Sequence, residues 1–181
     1  MLFSETDLRG VWLVKPVPYK DERGSFSRTF CIDEFEAHAL ENRFVQHSLC
    51  ESPTKHTLRG LHFQKPPHQE VKLVSCLHGA IWDVAVDMRP DSRQYRRWTA
   101  AELSAENRLQ LYIPEGFAHG YLSLSDDTVV SYLISRPYVP EAATGARYDD
   151  PAFAIDWPAA PKLISEKDRN WALLEDETLQ S

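Results

Sequence analysis

The chain has 181 residues, of which 43% are hydrophobic and 26% charged, and its formal net charge is −7. This length predicts one well-buried domain, because each of two domains would be small. The negative net charge disfavours a nucleic-acid-binding protein, since phosphate binding normally requires a basic face. It still permits a local basic pocket that binds a small anionic ligand.

The cysteines and the N-terminal segment predict a reducing compartment. Cys31, Cys50 and Cys76 are widely separated, and no two have the spacing of a metal-binding pair, so we expect free thiols. The first residues contain no basic start followed by an apolar run, and no apolar stretch reaches the roughly 18 residues of a membrane span. We therefore expect a cytoplasmic protein that does not associate with membranes.

Strand signals dominate the chain in sequence order. Short strands are predicted at residues 10–14 and 26–30, on either side of a turn at 20–24. The one clear helical segment is 33–40, with Asp33 as its expected N-cap. Further strands are predicted at 57–63, 71–77, 80–86, 98–103, 108–113, 120–124 and 129–134.

Many short strands with little helix predict an all-β fold. A double-stranded β-helix, the cupin-like jelly roll, encloses a ligand cavity most readily among such folds. The segment 151–181 contains apolar residues that need a surface to bury against, among them Trp157, Leu163 and Trp171. We therefore predict one jelly-roll domain over residues 1–181, with a few short helices, N-terminal strands and a C-terminal extension packed on the barrel.

Two histidines and a lysine are candidates for chemistry. His62 lies between Leu61 and Phe63 on a predicted strand, so its side chain points opposite to both and toward a cavity if those two pack outward. A histidine base needs a carboxylate to orient its ring, and Asp168 is available. Lys72 lies within an apolar strand, where a buried lysine must be paired or functional.

Each of the other candidates also has an ordinary structural interpretation. His119 follows a turn and could simply hydrogen-bond it, whereas Tyr132 could be a core aromatic or a proton donor. Arg59 and Arg23 flank glycines, which suits phosphate recognition, but both could be solvated surface charges.

The sequence predicts no metal and no cofactor. A metal-binding cupin needs a His-x-His pair followed by Glu and a later His, but His62 is followed by Phe63 and Gln64. This ligand spacing is poor. No glycine-rich phosphate loop precedes a helix, which disfavours Rossmann and P-loop proteins.

A set of short motifs extends from about residue 8 to about residue 173. The motifs are Asp21-Glu22-Arg23-Gly24, Leu58-Arg59-Gly60-Leu61-His62-Phe63-Gln64, Lys72-Leu73-Val74, Asp83-Val84-Ala85-Val86-Asp87, Leu103-Ser104-Ala105-Glu106-Asn107, Ile113-Pro114-Glu115-Gly116-Phe117-Ala118-His119-Gly120, Tyr132, Tyr138, Asp149-Asp150-Pro151, Ile155-Asp156-Trp157-Pro158 and Ser165-Glu166-Lys167-Asp168. Together they resemble the dTDP-4-dehydrorhamnose 3,5-epimerase family, whose members are homodimeric jelly rolls of the cupin type.

The resemblance implies an isomerase that inverts C3 and C5 of a nucleotide-linked 4-keto-6-deoxyhexose. The expected reaction converts dTDP-4-dehydro-6-deoxyglucose into dTDP-4-dehydrorhamnose without a cofactor. In this scheme His62 is the base, oriented by Asp168, and Lys72 steadies the enolate oxygen at C4. Tyr132 returns a proton from the opposite face of the ring.

The resemblance also implies a binding site for the nucleotide sugar and a homodimer. The positions expected to bind substrate are Arg23, Phe26, Gln46, Arg59, Gln64, His119, Tyr138 and Lys167. Family members lend the segment that carries Arg23 to the partner subunit, so we expect this arginine to reach the nucleotide across the dimer.

Three departures from the family pattern lie in ligand-recognition segments. Arg28 occupies an acidic position, residues 47–50 replace an Asp-Asn-His-Ser stretch, and Ala143 stands near the place of a glutamate. The reaction is therefore better specified than the nucleotide, the hexose configuration or the pathway, for which cell-surface polysaccharide and secondary-metabolite synthesis are both compatible. Three alternatives stay open. The first is an epimerase for C3 or C5 alone acting on a 4-keto sugar carried by another nucleotide, or a 4-keto sugar isomerase on the same barrel. The others are a non-catalytic sugar-nucleotide-binding or lectin-like jelly roll, and a metal cupin oxygenase.

Overall fold

A computed structural model describes residues 1–174, which contain fourteen strands and two short helices. The strands are β1 (Leu2–Glu5), β2 (Trp12–Lys15), β3 (Tyr19–Asp21), β4 (Gly24–Phe26), β5 (Gln46–Ser52), β6 (Thr57–Gln64), β7 (Lys72–His78), β8 (Ala80–Asp87), β9 (Trp98–Ser104), β10 (Gln110–Ile113), β11 (Phe117–Ser123), β12 (Thr128–Ile134), β13 (Ala143–Gly145) and β14 (Leu163–Ile164). The helices are α1 (Ile32–Ala37) and α2 (Glu166–Arg169).

Eight consecutive strands form a double-sheet jelly roll. One sheet has the order β1-β2-β10-β7-β12-β5, and the other has the order β13-β6-β11-β8-β9. Strands β5 to β12 contribute four strands to each sheet, and the chain crosses to the other sheet at every connection except that between β8 and β9. The predicted all-β jelly roll is confirmed, and no helix among the described residues is long and apolar enough to cross a membrane.

The alternation of side chains along the strands produces three apolar layers. Val74, Ala85 and Phe117 belong to the cluster between the sheets. Their chain neighbours point the other way: Leu73 joins a cluster outside the first sheet, and Ala118 joins one outside the second. Since successive strand residues face opposite sides, each sheet is apolar on both faces and needs a cover on its outer face.

The outer covers come from α1 and from the C-terminal extension. Phe35 of α1 is fully buried in the cluster outside the first sheet. Phe153 and Trp157 pack in the cluster outside the second sheet, and β14 pairs in parallel with β6. The last part of the predicted extension, residues 175–181, lies outside the described residues, so a single domain over the whole chain stays a prediction.

Two local predictions are wrong. Helix α1 begins after Cys31, and Asp33 lies in its first turn instead of capping it. The strand expected at 26–30 ends at Phe26, because β4 pairs only with β3. Phe30 instead packs its ring on Phe35 and Phe44.

The backbones of β6 and β11 approach each other closely at Gly60 and Gly120. A Cβ atom on Gly60 would lie 2.5 Å from the Gly120 Cα atom, and Gly60 has a φ of +132°. The pairing register shifts between His119 and Tyr121, so that His62 faces His119 while Arg59 faces Tyr121. Arg59 and His62 are three residues apart and would point to opposite sides of a regular strand, yet this irregularity brings both to the cavity.

We expect Gly60→Ala to lower the free energy of unfolding by more than about 2 kcal/mol, because it combines an unfavourable φ with a backbone clash. Gly24→Ala is the matched control, since Gly24 has a φ of +128° but nothing within 4 Å of the added Cβ. Urea unfolding of both variants measures the difference. Equal losses in the two variants would contradict the importance of the close approach.

Candidate active site

A cavity of about 740 Å³ opens between the two sheets. Side chains from both sheets and from the C-terminal extension form its walls. Ten of the twelve predicted site residues line it: Gln46, Arg59, His62, Gln64, Lys72, His119, Tyr132, Tyr138, Lys167 and Asp168. The barrel therefore brings together residues that are separated by up to 122 positions in sequence, from Gln46 to Asp168.

His62 and Asp168 form a hydrogen-bonded pair at the cavity wall. The His62 Nε2 atom lies 2.6 Å from Asp168 Oδ1, and the side chain of His62 is 44% exposed while that of Asp168 is 6% exposed. The buried carboxylate fixes the ring through one nitrogen. The other ring nitrogen, Nδ1, is therefore left to exchange a proton with a ligand in the cavity.

The position of Asp168 is set by helix α2 and by β6. The Ser165 side chain caps the helix by accepting a hydrogen bond from the Asp168 backbone N–H at 3.0 Å. The Gly60 N–H donates to Asp168 Oδ2 at 3.2 Å. Burial alone would raise the pKa of the Asp168 carboxyl, but the hydrogen bond and charge of His62, together with the Gly60 N–H, hold it below its usual value. Asp168 is therefore ionised at neutral pH and keeps its orienting role.

Lys72 stands at the start of β7, in the sheet opposite to His62. Its Nζ atom lies 3.1 Å from Glu70 Oε1 and donates to the His62 carbonyl oxygen at 3.1 Å. The pair is largely buried, with 12% of the Lys72 side chain and 7% of the Glu70 side chain exposed. A lysine in such a place needs its partner to remain in the interior.

His119 is held by a second buried carboxylate. Its Nε2 atom lies 2.7 Å from Asp83 Oδ1, and both side chains are buried. Asp83 comes from β8, which pairs with β11 so that Asp83 faces Tyr121 across the strands. No three His, Cys, Asp or Glu side chains within residues 1–174 are grouped to hold a metal ion.

Tyr132 projects into the cavity from β12, in the first sheet. Its ring meets that of His119 edge to face, with centroids 5.9 Å apart. Burial is the main reason that the pKa of Tyr132 is raised well above its usual value, with smaller contributions from Tyr121, Cys50 and Asp83. The phenol is therefore protonated at neutral pH and can donate a proton.

The two predicted glutamines hold the chain around Tyr138. Gln46 Oε1 accepts a hydrogen bond from the Tyr138 N–H at 2.9 Å, and Gln64 Oε1 accepts one from the Val139 N–H at 2.7 Å. Tyr138 itself is 61% exposed. The structure thus uses both glutamine side chains to support a segment at the cavity wall.

Three further basic side chains line the cavity. The Arg59 guanidinium donates to Ser52 Oγ at 3.2 Å and to the Glu51 carbonyl at 2.8 Å. The Lys167 Nζ atom lies 5.3 Å from the centroid of the Trp171 ring. Arg136, which sequence reasoning missed, is a further basic residue of the wall.

Arg23 and Phe26 are the two predicted site residues that this chain does not bring to its own cavity. Both lie on the β3–β4 hairpin, where Arg23 pairs with Asp21 and Phe26 is 73% exposed. The hairpin pairs with no other strand among residues 1–174.

Glu70 and Asp83 are two further functional candidates that sequence reasoning missed. The sequence contained a signal for both. Glu70 lies beside the apolar strand that carries Lys72, and Asp83 lies within an apolar strand that pairs with the strand of His119. A buried charge needs a partner of opposite sign. That rule could have assigned Glu70 to Lys72, but only the pairing of β8 with β11 assigns Asp83 to His119.

The fold and cavity define a jelly-roll protein with acid–base groups on facing walls. Residues 5–176 match the family model described as dTDP-4-dehydrorhamnose 3,5-epimerase. A protein of that name from Methanothermobacter thermautotrophicus is 47% identical over 177 residues, which cover 96% of this chain and 95% of the relative. The chain belongs to the dTDP-4-dehydrorhamnose 3,5-epimerase family.

Solved structures of family members have the same fold. The enzyme of this name from Elizabethkingia anophelis superposes with a TM-score of 0.93 at 40% identity, covering 98% of both chains. A 3,5-epimerase from Legionella pneumophila in complex with dTDP-4-keto-L-rhamnose has a TM-score of 0.90 at 38% identity, covering 96% of this chain and 93% of that one. The predicted family and the cupin-like jelly roll are thus confirmed.

We expect Asp168→Asn to lower kcat by about 100-fold or more, since a positioned acid–base group contributes about 10²- to 10⁴-fold. The variant should also alter stability. Because the pKa of Asp168 is lowered in the folded chain, its ionised form stabilises the fold above the unfolded carboxyl pKa, and this contribution is lost as the pH falls through the folded pKa.

The difference in free energy of unfolding between wild type and Asp168→Asn should therefore shrink on acidification from pH 7. Urea unfolding at several pH values measures it. Asp149→Asn is the control for activity, because Asp149 forms an exposed pair with Arg147 at 2.9 Å outside the cavity. A pH-independent difference would contradict the assigned ionisation.

Proposed function

We propose that this chain is a dTDP-4-dehydrorhamnose 3,5-epimerase that converts dTDP-4-dehydro-6-deoxyglucose into dTDP-4-dehydrorhamnose. The observation that carries the proposal is the placement of His62 and Tyr132. They project from different sheets into one cavity, so a sugar ring between them meets a base on one face and an acid on the other.

The His62 ring removes the proton from C3 or C5. The C–H bond breaks, its electron pair moves into the bond between that carbon and C4, and the C4 carbonyl becomes an enolate. The 4-keto group makes both hydrogens acidic, so a single base suffices for both centres. Asp168 stabilises the imidazolium that forms, as a buried carboxylate does behind a histidine base.

The Tyr132 phenol then delivers a proton to the opposite face of the same carbon. The enolate electron pair forms the new C–H bond, the C4 carbonyl is restored and the centre is inverted. The raised pKa of Tyr132 supports this role, because a protonated phenol is needed at neutral pH. Exchange with water returns the proton from His62 to solvent and reprotonates the tyrosine.

Lys72 is the cation that stabilises the enolate. Negative charge develops on the C4 oxygen only as the proton leaves, so a pre-positioned ammonium group binds the transition state more strongly than the ketone. The low exposure of Lys72 supports this role, since charge interactions are stronger away from water.

The basic side chains of the cavity are suited to a diphosphate. Arg59, Arg136 and Lys167 line it in a chain whose net charge is −7, so the positive charge is concentrated locally. Guanidinium groups bind phosphate oxygens with two parallel hydrogen bonds. His119 would contact the hexose of the substrate, and the exposed ring of Tyr138 offers a surface on which the nucleobase can stack.

The β3–β4 hairpin supports a homodimer with shared sites. Its exposed Phe26 and Arg23 lie outside the cavity of their own chain, and the proposed role of both is to complete the partner's site. We also propose a cytoplasmic location, for which the three free cysteines are the support, since thiols persist in reducing compartments.

In deuterium oxide we expect the wild-type protein to incorporate deuterium at both C3 and C5 of dTDP-4-keto-6-deoxyglucose, measured by NMR. His62→Ala should abolish exchange at both carbons while dTDP still binds, because the base acts on both centres. Exchange at one carbon only would identify a single-centre epimerase. Binding without any exchange in the wild type would identify a non-catalytic sugar-nucleotide-binding protein.

Mixed dimers test whether Arg23 serves the partner's cavity. Arg23→Ala and His62→Ala homodimers should both be impaired, whereas a heterodimer of the two should regain one working site and about half of the wild-type activity per dimer. This recovery is expected because one cavity then receives an intact His62 and the partner's intact hairpin. If Arg23 served its own cavity, each site would carry one defect and no activity would return.

A further inference from the structure

The Lys72–Glu70 pair has a feature that the reaction alone does not require. Lys72 must face the substrate, yet one of its N–H groups is engaged by a carboxylate that is itself buried in the cavity wall. We propose that Glu70 is a positioning residue that aims Lys72 at the C4 oxygen of the substrate. This inference rests on the proposed function, because it explains how the ammonium group of Lys72, the proposed cation, is oriented.

The hydrogen bonds of Lys72 leave one donor for the substrate. An ammonium group has three N–H donors. One is directed to Glu70 Oε1 at 3.1 Å and a second to the His62 carbonyl oxygen at 3.1 Å. Because the two contacts fix the ammonium group from two sides, the third donor points to the remaining free space, which is the cavity that Lys72 lines.

The second of these contacts joins the two walls of the cavity. Lys72 belongs to β7 in one sheet, whereas His62 belongs to β6 in the other. The hydrogen bond to the His62 backbone therefore ties the cation to the strand that carries the base. Glu70 prevents the flexible lysine stem from leaving this position, so that base and cation keep their separation during the reaction.

Glu70 acts through Lys72 and does not touch the substrate itself. Only 7% of its side chain is exposed, and its Oε2 atom is buried without a hydrogen-bond partner within the described residues. A carboxylate oxygen buried in this way is unfavourable for stability. The arrangement is therefore better explained by the position it imposes on Lys72 than by a gain in stability.

The charge of Glu70 and its position have opposite consequences for the reaction. A carboxylate beside the ammonium group lowers the positive potential that the developing enolate meets. What helps the reaction is therefore the position of the Glu70 Oε1 atom, which forms the ion pair with Lys72 Nζ. A variant that loses the negative charge of residue 70 but keeps an acceptor oxygen in place should therefore lose less activity than a variant that keeps the charge but moves it.

Two variants separate these properties. Glu70→Gln keeps an oxygen acceptor on a side chain of the same length but has no charge, whereas Glu70→Asp keeps the charge and shortens the side chain by one methylene. We expect Glu70→Asp to lower kcat by about 10- to 100-fold with little change in KM, since misplacement of a catalytic group by about 1 Å can cost about 10²-fold. The loss in Glu70→Gln should be clearly smaller.

The assay is deuterium incorporation into dTDP-4-keto-6-deoxyglucose by the full-length protein, with kcat and KM determined separately. Glu102→Asp makes the same change at an exposed position of β9 and should leave both constants unchanged. In a Lys72→Ala background, Glu70→Asp should cost nothing further, because the residue has lost the group through which it acts. Thermal unfolding and dTDP binding report on the fold, and Glu70→Met replaces Glu70→Asp if the latter does not fold.

Several results would overturn the role of Glu70. One is a loss of kcat in Glu70→Gln that equals or exceeds the loss in Glu70→Asp, and another is an unchanged kcat in Glu70→Asp. A third is a further loss of kcat when Glu70→Asp is added to Lys72→Ala. The last is a change of both KM and kcat in Glu70→Asp that accompanies a lower melting temperature, which would indicate a merely structural role. A wild-type protein that exchanges no deuterium would instead overturn the proposed function, and with it this role. Measurement of the wild type first keeps the two failures distinct.

Discussion

Three groups of the cavity wall, His62, His119 and Lys72, are each held by a buried carboxylate. Asp168 holds His62, Asp83 holds His119 and Glu70 holds Lys72. Each carboxylate is buried, so its interaction is screened only weakly by salt. This pairing sets the orientation of each group, and it also keeps a cavity with several charged groups compatible with an apolar barrel.

The backbone geometry of β6 determines which side chains reach that cavity. Gly60 and Gly120 bring the backbones of β6 and β11 together more closely than any side chain would permit. The associated register shift places Arg59 and His62 on one face, and the Gly60 N–H binds the carboxylate of Asp168. One irregular position therefore contributes to the fold, to the cavity and to the orientation of His62.

The sequence predicted the strands well and their ends less well. The strands from 57 to 134 lie within about three residues of their predicted bounds, because alternation and turn residues are local properties. The N-cap at Asp33 and the strand at 26–30 were wrong, since Phe35 and Phe30 bury in a tertiary cluster that local patterns do not reveal. The resemblance to the epimerase family located ten residues of the cavity, whereas Glu70 and Asp83 were missed as partners.

By itself, the sequence determined the all-β class, the family and the identity of the groups suited to acid–base chemistry, since periodicity and motifs are written along the chain. Only the tertiary structure decided which carboxylate meets which cation, and that His62 and Tyr132 belong to different sheets. Strand order, register and the register shift between β6 and β11 settle these relations. These relations depend on contacts between residues far apart in sequence. Local sequence patterns do not reveal such contacts.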